Sequence, residues 1–402
     1  MSQSSSASSN NSGSLLISQG PSQAIPTSTD ARAKRRIAAL EEELETMRQE
    51  GGTKQRKTTY YVAQGRAIRR MVVLYTSLED LIEENDRRCD SENEVMETTT
   101  AEDRLQHGYI ALAQVLPWLH DKLHDLDPDD SNDMLKKLKK GADAARGDDT
   151  STLKDLVATW VNQDFSPSRL IRSDDKHSRG FVNDICGKLL CPSEMDWDDN
   201  RVKAGIRDRR SGYIVSEHSF PLFLYEGYTA DRDNLEKGLF KSKLLVQAFK
   251  AIFTSPSSAK EADEDGDGAD ILENNRRARR KSDQVKVKTC VASIINMKKV
   301  TPRAIAYIVC QVRFALSNVS SWRIRDGDFD YEIFWNSIVD FFEDPPGPAA
   351  RGRISKLLEW WTRKIFGNNN RQDLTAEVVS RMSVTALAEQ RKALEDAAFD
   401  SD

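Results

Sequence analysis

His120 and His124 stand one helical turn apart in the stretch His120-Asp-Lys-Leu-His124. Imidazoles at that spacing project from one side of a helix and can share a divalent ion, with Asp121 where a zinc peptidase carries its glutamate base. Against this chemistry, the aspartate is a methylene shorter than that base, and no third ligand follows at a helpful spacing. A surface pair on an amphipathic helix, beside Leu112, Leu116, Leu119 and Leu123, is the favoured reading, and no metal or other cofactor is expected.

A second candidate is electrostatic. Arg276, Arg277, Arg279, Arg280 and Lys281 place five cations in six residues. Guanidinium groups meet phosphate oxygens in forked geometry, so the cluster suits a nuclear import signal or a nucleic-acid contact. Immediately before it, Glu261, Asp263, Glu264, Asp265, Asp267, Asp270 and Glu273 form an acidic run that can neutralise it, which makes a solvated loop the competing reading. The run itself imitates the first half of a calcium-binding loop, with Asp263, Asp265 and Asp267 as alternating oxygen ligands and Gly268 at the sixth position. The second half fails: Asp270 occupies the apolar eighth position and Asn274 the place of the bidentate glutamate.

The remaining chemistries are thinner. Cys186 and Cys191 are four residues apart with only His177 near, which favours buried thiols over a metal clamp or redox pair. The chain contains no GxSxG nucleophile turn and no phosphate-cradling GxxxxGK[ST] loop. Ten aromatics between Trp322 and Phe366, interleaved with arginines, suit either a stacking platform for single strands or, as the helical spacing favours, a packed core. Arg146-Gly147-Asp148 has the form of an integrin ligand, but Gly147 reads better as a turn ahead of a helix opening at Ser151.

Several phrases are distinctive: GADAARGDDTSTLK from Gly141, RGFVNDICGKLLCP from Arg179, then EMDWDD, FPLFLYEGY and KGLFKSKLLVQAFKAIFTSPSS. They resemble a family of uncharacterised proteins abundant in mushroom-forming basidiomycete fungi, grouped under a domain of unknown function. The resemblance spans roughly Ala63 to Ser258 and implies no catalytic or binding residue.

The elements that must position these residues read as helices. Apolar residues share a helical face over Ile68 to Ile82 and again over Leu105 to Leu126. A third helix opens near Ser151, with Asp149, Thr150 and Ser151 as N-cap candidates. Further helices fit Leu239 to Phe253, Thr289 to Met297, a stretch entered by Thr301-Pro302, Tyr331 to Phe342, Ile354 to Phe366 and Ala376 to Ala397. Between them, residues 166–228 read as a long, partly buried loop region with short helices. No strand alternation of useful length occurs. The expected fold is an all-α, multi-helix globular domain over 60–366 with an acidic/basic loop at 257–288. A disordered Ser-rich tail (1–30) and a short coiled-coil helix (31–50) precede it, and a C-terminal helix and tail (367–402) follow. Ile37, Leu40, Leu44 and Met47 give that coiled-coil seam two heptads, enough for weak self-association.

Composition sets the outer bounds. Of 402 residues, 38% are apolar and 31% charged, and 59 Lys and Arg against 64 Asp and Glu leave no global field that marks a nucleic-acid or membrane binder. Five separated cysteines suit a reducing compartment, and no apolar window approaches the roughly 18 residues of a membrane span. The expectation is an intracellular, non-enzymatic interaction module, nuclear or else cytoplasmic, that binds protein or nucleic acid and no membrane. The alternatives are a metal-dependent enzyme using His120 and His124, and a structural oligomer built through residues 37–47.

Overall fold

The computed structural model describes residues 58–90, 98–261, 290–367 and 376–399, together with Arg36. The 1–30 tail, the 37–47 seam, the acidic run from Asp263 to Asn274 and the cluster from Arg276 to Lys281 lie outside the described residues.

A helical stretch over 58–65 leads into α1 (Ile68–Met71), α2 (Leu78–Asp90) and α3 (Thr100–Val115). Thr99 and Glu102 open α3 reciprocally: the Thr99 hydroxyl accepts from the Glu102 N–H while the Glu102 carboxylate accepts from the Thr99 N–H. The short α4 (Leu119–Asp125) precedes the 38-residue α5 (Pro128–Phe165), which starts with Asp127 as cap and Pro128 at its first position. Residues 166–242 hold α6 (Asp184–Leu190), α7 (Asn200–Arg207) and single turns at Gly180–Val182, Leu222–Leu224 and Glu226–Tyr228. Next, α8 (Lys243–Phe249) passes into a π-helical turn, Lys250–Thr254, that ends at Ser255. Then come α9 (Val291–Ile294), α10 (Pro302–Leu316) and an antiparallel hairpin of β1 (Arg325–Asp326) with β2 (Phe329–Asp330). The described chain closes with α11 (Tyr331–Glu343), α12 (Pro348–Phe366), α13 (Ala376–Ser380) and α14 (Ser383–Phe399). The fold is mostly helical, as the periodicities predict.

The centre of the core is α10. Thr301 caps it through the Ala304 N–H, as the Thr-Pro pair predicts, and every residue from Arg303 to Leu316 is buried. A helix apolar on nearly all sides has to lie inside, and α1, α5, α8 and α11 pack around it. Its polar members are engaged. Arg303 makes two 2.8 Å bonds to Glu343, Gln311 donates to the Tyr307 hydroxyl, and Arg313 donates to that of Tyr331.

Three sequence expectations give way here. The third helix does not open at Ser151, because α5 runs unbroken through it. Asp149 is drawn sideways into a buried ion pair instead of capping, while the Thr150 and Thr152 hydroxyls donate back to the Arg146 and Asp148 carbonyls within the helix. Gly147 therefore lies inside a helix and supplies no turn.

The stretch from Ile68 to Ile82 is likewise split. Its turn is held by guanidinium groups that cover freed carbonyls, Arg69 on Thr76 at 3.0 Å and Arg303 on Val72 at 2.7 Å. The stretch from Leu105 to Leu126 breaks around Pro117, which has no N–H to continue the ladder.

The 58–65 stretch crosses α5 at two glycines. A methyl at Gly65 would lie 2.0 Å from the Leu138 carbonyl oxygen, and one at Gly141 would lie 2.0 Å from that of Val62. Only a missing Cβ on both partners allows this approach, so the contact needs glycine at positions where helix propensity disfavours it.

Candidate functional site

The structure scatters most of the chemistry-bearing residues. His120 and His124 are exposed on α4, and the His120 Nδ1 lies 3.0 Å from the Tyr109 hydroxyl on α3. Among the described residues, no three His, Cys, Asp or Glu side chains gather into a set able to hold a metal ion. Cys186 belongs to the main core, whereas Cys191 packs with Trp197 and Ile206 in a small second cluster. Burial pushes the Cys186 thiol up to about 11, and burial with the nearby Glu194 charge pushes that of Cys191 up to about 12, so both are poor nucleophiles. Of the C-terminal aromatics, Phe329, Tyr331, Phe334, Trp335, Phe342, Trp361 and Phe366 are buried, as packing requires.

The phrases that carry the resemblance serve packing. Arg179 is 1% exposed and donates to the Lys154, Arg172, Ser173 and Ala315 carbonyls. Beside it, Lys176 donates to the Phe314 carbonyl at 2.5 Å. Two cations thus cover carbonyls at the C-terminal end of α10, where the helix dipole favours positive charge. Burial, reinforced by the Arg179 charge, lowers the Lys176 amine to about 7. Asn183 caps α6 through the Ile185 and Cys186 N–H groups. Gly187 makes room for the Trp197 ring, 2.2 Å from where a methyl would stand, and Phe223, Leu224 and Tyr225 have no exposed surface.

A polar network missed by periodicity sits at the junction of α1, α5 and α10. Arg70 makes two 2.7 Å bonds to Asp149, Tyr307 donates to the same carboxylate at 2.7 Å, and Thr150 donates to Gln311 at 3.0 Å. Burial pulls the Arg70 guanidinium down, but the bonds and charge of Asp149 outweigh it and leave the group raised. Burial, with Asp149 alongside, holds the Tyr307 phenol well above its ordinary value. With its partners saturated, this network fastens helices and leaves no free acid or base. The sequence signal for it was the Arg69-Arg70 pair set against an apolar helical face.

Among the openings lined by described residues is a groove of about 650 Å³. Ala63, Ala67 and Met71 line it from the 58–71 region, Ile110, Ala111, Val115, Leu116 and Pro117 from α3 and its end, and Ile294, Ile295 and Pro302 from α9 and the start of α10. Gln64, His107, Gln114, Asn296 and Thr301 add polar groups to this lining, and its volume is that of a binding pocket. The charged residues lining it, Arg303 and Glu343, are bonded to each other, so the walls carry little net field. Ile110 and Ile294 stand 46% and 64% exposed on opposite sides. Next to Pro117, the Trp118 ring packs with those of Tyr60 and Tyr61, with centroids 5.7 and 5.8 Å away.

Comparison with known proteins adds the family. The DUF6698 family, described as a family of unknown function, matches residues 140–366, more than half of the chain. The chain belongs to this family. No curated protein and no solved structure matches it. The DUF6698 match begins later and reaches further than the phrases suggested, running from within α5 to the end of α12. The 63–117 side of the groove therefore precedes the DUF6698 region, while Ile294, Arg303 and Glu343 belong to it. Arg70 to Asp149 and Gly65 to Gly141 tie the two parts together. No described helix of this DUF6698 protein is long and apolar enough to cross a membrane.

Proposed function

We propose that residues 60–366 form a non-enzymatic interaction module that receives an apolar segment of a protein partner in the groove between α3 and α9. The observation that supports this is a concave surface, more apolar than polar, walled by the exposed Ile110 and Ile294, whose lining charges already neutralise each other. Large, rigid aromatics such as the Tyr60, Tyr61 and Trp118 cluster are the residues that anchor partner surfaces.

The test is a benzophenone amino acid placed at position 110 in the full chain, with the exposed Ile214 as control site. Irradiation in cells is expected to give a discrete adduct from position 110 and none from 214. Equal labelling, or no adduct at 110, defeats the reading.

A second contact is proposed for Arg276, Arg277, Arg279, Arg280 and Lys281, acting on phosphate or as a nuclear import signal, since guanidinium groups clustered as five cations in six residues can meet phosphate oxygens in forked geometry. Binding to mixed-sequence DNA and RNA is expected to weaken steeply with salt and to fall when the five are neutralised. Unchanged binding and unchanged cellular distribution in that variant speak against both roles. The likeness of the phrases to basidiomycete proteins supports a fungal source.

A further inference from the structure

Most of the charge on α12 has one sign and one side. Between Pro348 and Phe366, Arg351, Arg353, Lys356, Arg363 and Lys364 are cations and Glu359 is the single acid. Arg353, Lys356, Trp360, Arg363 and Lys364 recur at helical intervals, so they share one face of the helix over about 16 Å. The opposite face is committed to the core through Ile354, Trp361 and Ile365. There the Trp361 indole N–H donates to the Phe240 carbonyl at 3.0 Å, which draws Lys241 to the helix, its Nζ 5.4 Å from the centroid of the half-buried Trp360 ring. The Val300 N–H donates to Thr362 at 3.1 Å and brings the exposed Lys298 and Lys299 to the last turns of the same helix.

Little acid offsets these cations. Arg353 is held by Glu236 at 2.8 Å, but Lys356 and Arg363 are exposed and make no ion pair among the described residues. By contrast, Lys136, Lys139 and Lys140 share α5 with Asp129, Asp130 and Asp133, and Lys203 and Arg207 of α7 both reach Asp184. Unpaired cations in a row with a flat aromatic ring among them suit a single strand, the cations tracking phosphates and the ring stacking a base. A membrane-binding helix instead turns a broad apolar side outward, and the apolar side of α12 faces the core. We propose that this face binds single-stranded nucleic acid, with Lys241, Lys356 and Arg363 on phosphates and a base stacked on Trp360. The Lys241 ammonium leaves the ring for a phosphate when a base takes its place. The inference depends on neither the groove nor the cluster from Arg276 to Lys281.

The test is fluorescence anisotropy of labelled, mixed-sequence single-stranded DNA and RNA over a salt series. It uses the full chain with Arg276, Arg277, Arg279, Arg280 and Lys281 already neutralised, so that only other contacts are read. Residual binding is expected. Adding Lys356→Ala and Arg363→Ala should weaken it about tenfold or more and lower the slope of log affinity against log salt by about 1.4, since each phosphate contact on a single strand contributes about 0.7. Trp360→Leu should weaken binding about fivefold or more and leave that slope unchanged, which a purely cationic surface would not show. Lys136→Ala with Lys139→Ala controls for lost charge, and unchanged far-UV circular dichroism shows that each variant folds. Absence of residual binding overturns the proposal. So does an equal loss from the α5 control pair, no loss from the α12 pair, or a Trp360→Leu variant that binds as its parent does. If only binding to phosphatidylserine vesicles responds to the α12 pair, the partner is a membrane and the proposal falls. The cluster reading fails separately, when neutralising its five cations leaves the binding of the wild type unchanged.

Discussion

Arg70 and Asp149 face each other in the middle of the domain through two parallel 2.7 Å bonds, with both side chains almost free of solvent contact. The pair joins the segment before the DUF6698 region to the family's first long helix, and Tyr307 ties it to α10. Removing one partner leaves an uncompensated buried charge. Arg70→Met or Asp149→Leu alone is expected to cost about 3–5 kcal/mol, and the double variant much less than the sum. Denaturant unfolding of the four proteins gives the coupling directly, and additive losses would show that the pair is not energetically joined.

The glycine crossing predicts opposite signs for one substitution at two places. Gly65→Ala and Gly141→Ala set a methyl against the backbone of the facing helix and are expected to destabilise by about 1–3 kcal/mol or more. Gly147→Ala, with nothing within 4 Å of the added carbon, is expected to stabilise α5 by roughly 0.5–1 kcal/mol. Thermal unfolding midpoints distinguish the two classes.

Lys176 makes stability depend on pH. Its folded value of about 7 lies below the ordinary lysine value, so between the two the unfolded chain binds the extra proton. The penalty is full below pH 7 and is relieved as pH rises, so stability should climb by up to about 1.4 kcal/mol per pH unit. The clean window is pH 7 to 8.5, before the buried thiols, whose folded values are raised, begin to act in the opposite direction. Lys176→Met should flatten the slope there, and an unchanged slope would reject the assignment.

Thiol accessibility follows burial. Cys89 is exposed and Cys290 half-buried, whereas Cys186, Cys191 and Cys310 are buried. A disulfide-exchange reagent is expected to modify Cys89 first and Cys290 more slowly in the native protein. The other three should react only after denaturation, as peptide mapping would show.

Local sequence signals determined the helical class, the entry of α10 at Thr301-Pro302, the span of α11, the end of α12 at Phe366 and the burial of most C-terminal aromatics, because each depends on residues within a few turns of one another; α12 opens at Pro348, six residues before the expected Ile354. The sequence also carried the family phrases without their purpose. Arg179, Asn183 and Gly187 turn out to cover helix ends and admit a tryptophan ring.

Only the tertiary structure decided the rest. Asp149 looks like a cap until Arg70 arrives from 79 residues away, and the need for glycine at 141 appears only when the 58–65 stretch lies across it. The groove has no local signature, since Ile110 and Ile294 come from segments that meet only when α3 and α9 pack beside the start of α10. Propensity acts between neighbours in sequence, whereas ion pairing, close backbone approach and concavity arise between residues that folding brings together.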